Sequence, residues 1–214
     1  MNTIKMLPSA FLFFLIVPIA FCQPGKMINI GNQVWMKENL NVSRFRNGDP
    51  IPEAKTIDEW LKAGKDGKPA WCFFENKPVN GDKYGKLYNW HAVNDSRQLA
   101  PEGWHVPTND EWQILIDYYG GRELAGGPMK ETGTKYWKFP NTGATNDHGF
   151  SALPGGHRDN TGHFYNLGHY ATFWTATKCN QIAAWKRHLS HGDTKVYIDC
   201  FDMTAGFSIR CIRD

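Results

Sequence analysis

The amino-acid sequence predicts a single α+β domain, with two helices in its first half and short strands joined by loops in its second half. Its 214 residues include 9 Trp, 13 Phe and 8 Tyr, which is enough apolar material to build one core. Glycine, proline, asparagine and aspartate interrupt these aromatic residues at short intervals, and this punctuation is typical of short strands and ordered loops. Two stretches also carry helix start signals, and no long helix is predicted after residue 125.

The first helix is predicted to begin after Thr56, because Thr56 and Glu59 match a capping box. In that arrangement the threonine side chain accepts the glutamate N–H, and the glutamate carboxylate accepts the threonine N–H. Gly64 and Gly67 follow closely, so we expect this helix to be short.

The second helix is predicted to begin after Thr108, with Glu111 completing another capping box. Gly120 and Gly121 are expected to end it. The apolar stripe between these signals, at the spacing of an amphipathic helix, consists of Trp112, Leu115, Ile116 and Tyr119.

Most of the other apolar stretches are predicted to form strands. Gly31-Asn32 lies between apolar residues as a tight hairpin requires, which predicts a strand pair within residues 27–42. Residues 76–85 are polar and are predicted to form a loop. The remaining strand candidates are residues 70–74, 86–93, 173–176, 183–189, 196–198 and 207–212.

The start of the chain has the pattern of a secretory signal peptide. Residues 10–21 form an apolar run, and this run is shorter than the about 20 residues needed to cross a bilayer. Small residues precede Gln23 at the positions that a signal peptidase reads. We therefore predict that residues 1–22 are a signal peptide and residues 23–214 are one exported domain, extracellular or at the cell surface. The alternative is a lipid anchor on Cys22, the one route by which we expect contact with a membrane.

The charge of the chain does not favour a nucleic-acid partner. The formal net charge is +3, and loss of Lys5 with the signal peptide would reduce it by one. Basic and acidic residues are interspersed, with no run of five like charges. Nucleic-acid binding is therefore not expected.

The predicted mature domain keeps four cysteines, Cys72, Cys179, Cys200 and Cys211. In an oxidising compartment they allow two disulfides with three possible pairings, and buried thiols are the other option. The sequence contains no CxxC pair, so neither a zinc knuckle nor a thioredoxin-like site is predicted.

The dipeptide Gly-His occurs three times at a fixed spacing, at His157, His163 and His169. Six residues span about 20 Å along a strand and turn to different faces of a helix, so only a hairpin or folded loop could bring these imidazoles together. The shorter-spaced pair His188 and His191 has no evident third ligand. We predict no metal site, and we assign the repeat to glycines whose backbone freedom the turns require.

Polar and aromatic side chains around this predicted hairpin favour recognition of a sugar or a protein surface. No catalytic residue and no cofactor are predicted, since the chain lacks a G-x-S-x-G nucleophile elbow. A carboxylate pair of the glycosidase type remains an alternative, because Asp and Glu are scattered through the chain and only their separation in three dimensions would identify such a pair. The candidate ligand-binding residues are Arg158, Asp159, Asn160, His163, Tyr165, His169 and Lys186.

Five stretches occur in order along residues 31–214: GNQVWMKENLNV, KLYNWHAV, APEGWHVPTNDEWQILI, GFSALPGG and GFSIRCIRD. Together they resemble the Fibrobacter succinogenes major paralogous domain family, whose members are exported bacterial proteins, often lipoproteins, with no established activity. HVPTNDEW and GFSIRCIRD also look like parts of the formylglycine-generating sulfatase-modifying enzymes, which have the C-type-lectin-like fold.

The resemblance implies a compact C-type-lectin-like domain with two helices, twisted antiparallel strands and a loop-rich second half. The matching residues at the entry of the second helix and in the terminal strand are implied to be structural. Cys72 lies at a family-like position, and the implied disulfides join Cys72 to Cys211 and Cys179 to Cys200.

The chain departs from the resembling proteins in ways that bear on function. The sulfatase-modifying enzymes use a pair of cysteines near the end of the chain, whereas Cys211 stands alone there. The calcium-binding signatures of sugar-binding C-type lectins, Glu-Pro-Asn, Gln-Pro-Asp and Trp-Asn-Asp, are also missing from the sequence. The sequence therefore favours an exported, non-enzymatic module that binds a glycan or a protein. The alternative is an enzyme related to the sulfatase-modifying group, using Cys211 or a metal.

Overall fold

The computed structural model describes residues 27–214, which form an α+β domain. The predicted signal peptide, its cleavage site and Cys22 lie outside the described residues. The helices are α1 (Ile57–Lys65), α2 (Pro78–Tyr84), α3 (Trp90–Val93), α4 (Asn109–Tyr118) and α5 (Gly126–Met129). The strands are β1 (Met27–Ile30), β2 (Gln33–Met36), β3 (Trp71–Cys72), β4 (Leu87–Asn89), β5 (Trp104–His105), β6 (Gly155–Arg158), β7 (Phe164–Leu167), β8 (Tyr170–Lys178), β9 (Ala183–Ser190), β10 (Val196–Asp202), β11 (Gly206–Phe207) and β12 (Ile212–Arg213).

Both predicted helices are present as α1 and α4, and both capping boxes are formed. At α1 the Thr56 side chain accepts a hydrogen bond from the Glu59 N–H, and the Glu59 carboxylate accepts one from the Thr56 N–H. Thr108 and Glu111 make the same reciprocal pair at α4. Among residues 27–214, no helix is both long and apolar enough to span a bilayer.

The strands form two sheets. The smaller sheet has the order β1-β2-β12-β5, and β1 with β2 is the hairpin predicted at Gly31-Asn32. The larger sheet has the order β10-β9-β8-β6-β11-β4-β3, with β7 added on β6. Pairs of these named strands are antiparallel except β6 with β8, which meet in parallel at Gly156 and Ala171.

Helix α4 joins the cores of the two sheets. The ring of Trp112 lies 5.0 Å from Trp35 in β2 and 5.4 Å from Phe173 in β8, measured between ring centres. Trp112, Leu115 and Ile116 are all fully buried, as the apolar stripe predicts. Burial of large apolar side chains such as these stabilises the fold by roughly 1.5–3 kcal/mol each.

Two short helices occupy places where the sequence predicts a loop and the end of a strand. Helix α2 replaces the predicted polar loop. Pro78 is in its first turn, where a backbone N–H would make no hydrogen bond within the helix, so the lack of an N–H in proline costs nothing there. A Cβ on Gly81 would collide with an aromatic ring outside the helix. The backbone of α2 therefore packs closely against that ring, and this packing stabilises a segment whose intrinsic helix propensity is low. Helix α3 follows β4 because the Asn89 side chain accepts the Ala92 N–H and caps a new helix start.

The terminal stretch predicted as one strand is divided between the two sheets. β11 pairs with β4 and β6, whereas β12 pairs with β2 and β5. Between them the buried Arg210 donates to the carbonyl oxygen of Phe150 and, through two nitrogens, to Oδ1 of Asn39. These bonds hold the segment between β11 and β12 against the loops that contain Asn39 and Phe150.

Only one of the two implied disulfides is formed in the described chain. Cys179 and Cys200 are bonded, which links the region after β8 to β10. The implied bond between Cys72 and Cys211 is wrong, because these buried side chains lie in different clusters of the core and are not joined. The pairing fails because Cys72 is on β3, at the far edge of the larger sheet, and Cys211 adjoins β12 in the smaller one.

Candidate functional site

Strands β8, β9 and β10 bring polar and aromatic side chains to one face of the larger sheet. The antiparallel register places His188 opposite Thr172 on one side and opposite Tyr197 on the other. Lys186, two residues before His188, is opposite Asp199. Because alternate residues of a strand point to the same face, these side chains share one surface.

That surface contains a cleft of about 190 Å³, which we call the sheet-face cleft. Strand β6 contributes His157 to it, and β11 contributes Phe207 at the sheet's interior. The remaining lining residues come from β8, β9 and β10. In full, the lining residues are His157, Tyr170, Thr172, Lys186, His188, Phe201 and Phe207.

Lys186 is the charged residue of the cleft, and only 8% of its surface is exposed. Its Nζ lies 3.1 Å from Oδ2 of Asp199 and 2.9 Å from Nδ1 of His188. Burial lowers the pKa of Lys186, while the Asp199 carboxylate acts in the opposite direction. Since an ammonium group can only donate, Nδ1 of His188 accepts, and the proton of the neutral ring is on Nε2.

Both cleft histidines are uncharged near neutral pH. Burial, with a smaller effect from the charge of Lys186, lowers the pKa of His157 to about 4 and that of His188 to about 4. Nδ1 of His157 is buried and has no hydrogen-bond partner among the described residues. The cleft therefore offers neutral imidazole donors and acceptors beside one paired ammonium group.

Aromatic rings enclose these polar groups. His188 stacks on Tyr197 with ring centres 4.4 Å apart and planes 5° apart, and the Tyr170 ring lies 5.3 Å from His188. On the other side, Phe207 is 5.7 Å from the His157 ring. Such flat faces with polar groups at their edges suit ligands that combine apolar and hydroxyl-bearing surfaces.

The predicted hairpin is present as β6 and β7, and the glycines of the Gly-His repeat have the backbone role assigned to them. Gly156, Gly162 and Gly168 have φ angles of 64°, 87° and 81°. A Cβ at Gly156 would lie 2.5 Å from a backbone oxygen of β7, so a larger residue would separate the two strands.

The candidate residues on the hairpin turn lie outside the sheet-face cleft. Asp159 builds the turn, since its Oδ1 accepts hydrogen bonds from the N–H groups of Thr161 and His163. Asn160, His163 and Tyr165 are exposed. The Tyr165 ring lies 6.0 Å from the His157 ring, so it adjoins the cleft without lining it.

Arg158 is placed inside the protein. Its guanidinium donates to the carbonyl oxygens of Ala54, Thr56 and Gly162 and lies 4.7 Å from the centre of the Trp60 ring. It thereby ties the hairpin to the entry of α1. Arg158 does not line the sheet-face cleft, and these bonds occupy its donors in the core.

Of the seven predicted ligand-binding residues, Lys186 alone lines the cleft, and His169 lies beside His191 at the end of the β8-β9 pair. His188 could be inferred from Lys186, because side chains two positions apart on a strand point to the same face. Phe207 and His157 join the site only through the register of β6 with β8 and β11. That register is a long-range property which a local pattern does not contain.

A second polar cluster lies at the start of α4. His105 is hydrogen-bonded on both ring nitrogens, with Nε2 2.8 Å from Glu111 Oε1 and Nδ1 2.7 Å from Asp214 Oδ1. Partial burial lowers the pKa of His105, but the two carboxylates outweigh this and raise it above its usual range. Because Glu111 also completes the capping box, this cluster acts as a structural clamp at the start of α4.

Within residues 27–214, no group of three or more His, Cys, Asp or Glu side chains is arranged to hold a metal ion.

Comparison with known proteins gives a family for the chain. No curated protein and no solved structure matches it. The model of the Fibrobacter succinogenes major domain matches residues 28–213, which is nearly the whole described chain. The chain therefore belongs to the Fibrobacter succinogenes major domain family.

Proposed function

We propose that the protein is an exported, non-enzymatic binding module whose ligand docks in the sheet-face cleft. The observation that carries this proposal is the convergence of two uncharged histidines, a paired lysine and several aromatic rings in one concave site. Binding sites generally combine an apolar wall with a few placed polar groups, and the cleft has this character.

The chemistry of the cleft favours a glycan as the ligand. Neutral imidazoles can donate to and accept from sugar hydroxyls, and the partly exposed rings of Tyr170 and Phe201 offer apolar faces to the C–H groups of a sugar. Lys186 is already paired with Asp199, so the site does not present an uncompensated positive charge to an acidic partner. A protein segment is the other ligand that such a surface suits.

Two features support the cellular setting of this proposal. The disulfide between Cys179 and Cys200 fits an oxidising compartment, where such bonds persist. We propose that the domain is exported to the cell surface or beyond, by way of the predicted signal peptide.

We also propose that the α+β domain is C-type-lectin-like, since two capped helices and largely antiparallel strands agree with that architecture.

An enzyme related to the sulfatase-modifying group would need a reactive thiol or another activated group. Burial raises the pKa of Cys72 to about 12, which disfavours the thiolate, and Cys211 is fully buried. The exposed cysteine Cys179 is held in the disulfide. The binding proposal therefore has more support in this structure than thiol chemistry has.

A glycan array with matched variants tests the proposal. We expect the wild-type protein to bind a restricted set of glycans, and Tyr170→Ala and Lys186→Met to weaken that signal at least about tenfold. Asn160→Ala, on the exposed hairpin turn, is the control and should bind like the wild type. Loss of binding in Asn160→Ala alone would locate the site on the hairpin and contradict the cleft assignment. If folded wild-type protein binds no glycan on the array, the glycan proposal is wrong.

A further inference from the structure

His169 and His191 form a second pair of imidazoles, separate from the sheet-face cleft. Strands β8 and β9 end their pairing with Tyr170 opposite Ser190, so these two histidines come next on either strand. The His191 N–H donates to the His169 carbonyl oxygen at 3.0 Å, which fixes the two backbones against each other. The ring centres are 5.0 Å apart.

Each of these rings has the same nitrogen directed at a backbone carbonyl. Nδ1 of His169 lies 3.1 Å from the carbonyl oxygen of Leu167, and Nδ1 of His191 lies 3.1 Å from that of Phe139. A carbonyl oxygen can only accept, so Nδ1 carries the proton in each neutral ring. Nε2 is then the nitrogen with the lone pair. This arrangement, with a carbonyl orienting the ring through its other nitrogen, is the usual support of a metal-binding histidine.

We propose that His169 and His191 bind one divalent transition-metal ion through their Nε2 atoms. Two imidazoles bound to one tetrahedral ion, with metal–nitrogen distances of about 2.0–2.1 Å, have ring centres about 5 Å apart. The observed separation of 5.0 Å meets that requirement. Both side chains are partly exposed, so an ion can reach them from solvent.

The proposed site supplies two protein ligands, both of them imidazole nitrogens, and this ligand type determines which metal ions it binds. Imidazole nitrogen suits Cu²⁺, Ni²⁺ and Zn²⁺, with Cu²⁺ bound most tightly in the usual order, and it suits Ca²⁺ or Mg²⁺ poorly. Water or a donor from another molecule completes the coordination. In the sequence, His169 belongs to the Gly-His series and His191 is closely spaced with His188, whereas strand pairing brings together one member of each set.

Titration with Cu²⁺, followed by electron paramagnetic resonance, tests this site. The purified wild-type protein should bind one Cu²⁺ whose spectrum shows coupling to imidazole nitrogen. His169→Ala and His191→Ala should each lower the affinity about tenfold or more, the size of effect that loss of a supporting group already causes at metal sites. His163→Ala removes an exposed histidine of the same Gly-His series and is the matched control.

Circular dichroism establishes that each variant is folded before its affinity is compared. Unchanged Cu²⁺ affinity in either folded pair variant, or an equal loss in His163→Ala, would overturn the proposal. Nitrogen NMR of the metal-free wild type gives a check that needs no substitution. We expect the proton on Nδ1 in both neutral rings, and a proton on Nε2 in either one would contradict the assignment. Neither outcome depends on glycan binding in the sheet-face cleft.

Discussion

Lys186 and His188 are two positions apart on β9, and their side chains meet in the sheet-face cleft with Nζ 2.9 Å from Nδ1. This contact assigns the roles of three groups. Nζ donates to both His188 and Asp199, Nδ1 of His188 accepts, and Nε2–H of His188 becomes a donor. The cleft is thus organised by bonds that exist before any ligand is bound, and such preorganisation reduces the cost of binding.

Substitution of Asp199 should destabilise the domain more than substitution of its partner. Asp199→Asn leaves the buried ammonium group of Lys186 without its counter-charge, and we expect a loss of about 1–2 kcal/mol in the free energy of unfolding. Lys186→Met removes the buried charge and should cost less, since the remaining carboxylate is half exposed. Denaturant unfolding of both variants measures the difference. Equal or reversed losses would show that the pair is not arranged as described.

The two cleft histidines should make stability fall as the pH is lowered. Their pKa values are about 4 in the folded protein, against an ordinary value of 6.5, so the unfolded chain binds more protons between these two limits. The free energy of unfolding should therefore decrease from about pH 6.5 toward pH 4. His188→Gln should flatten part of this dependence in unfolding experiments across the range. A variant as sensitive to acid as the wild type would contradict the lowered pKa of His188.

His105 should contribute in the opposite direction and at higher pH. Its pKa is raised by Glu111 and Asp214, so its stabilising contribution is fully present below the unfolded value of 6.5. That contribution is lost as the pH rises through the folded pKa. His105→Gln should reduce this loss of stability as the pH rises above 6.5. If His105→Gln and the wild type lose the same stability above pH 6.5, the clamp is contradicted.

Lys130 should be important for stability because its buried ammonium group is bonded by three carbonyl groups. Its buried Nζ donates to the carbonyl oxygens of Thr142, Ser190 and Asp193, which joins two loops. Lys130→Met would leave these acceptors without their donor, and we expect a loss of about 2–4 kcal/mol in the free energy of unfolding. Lys65→Met, at an exposed position, is the control and should change stability by less than about 0.5 kcal/mol. Thermal or denaturant unfolding measures both.

The cysteine pattern can be tested by alkylation. After unfolding without a reductant, iodoacetamide should label Cys72 and Cys211 and leave Cys179 and Cys200 unlabelled. Peptide mass spectrometry identifies the labelled positions. Removal of the bond by Cys179→Ser should lower the free energy of unfolding by about 2–4 kcal/mol. A peptide joining Cys72 to Cys211 would restore the pairing implied by the family resemblance.

Much of the fold could be predicted because its signals are local. Thr56 and Thr108 start helices through contacts three residues away, and Gly31 shapes a hairpin within four residues. The family motifs also pointed correctly to the family. Helix α2 could not be predicted in this way, because the close contact at Gly81 involves a residue outside the helix.

The candidate site was predicted only in part, since strand order decides its composition. Lys186 is predicted from its polar and aromatic neighbours in the sequence, but its counter-charge Asp199 and most of the cleft lining come from other strands. His157 reaches the cleft through the parallel bridge between β6 and β8, a pairing that no local pattern indicates. Arg158 shows the opposite case, because an arginine beside a polar turn is held in the core by carbonyl groups from the entry of α1.

The most direct test of the cleft is the imidazole NMR spectrum of the protein during titration with a glycan that it binds. Ligand contact should shift the ring resonances of His157 and His188, because both line the cleft. The exposed His163 ring on the hairpin should be unaffected. Shifts confined to His163, or unchanged rings at saturating glycan, would contradict the placement of the binding site in the sheet-face cleft.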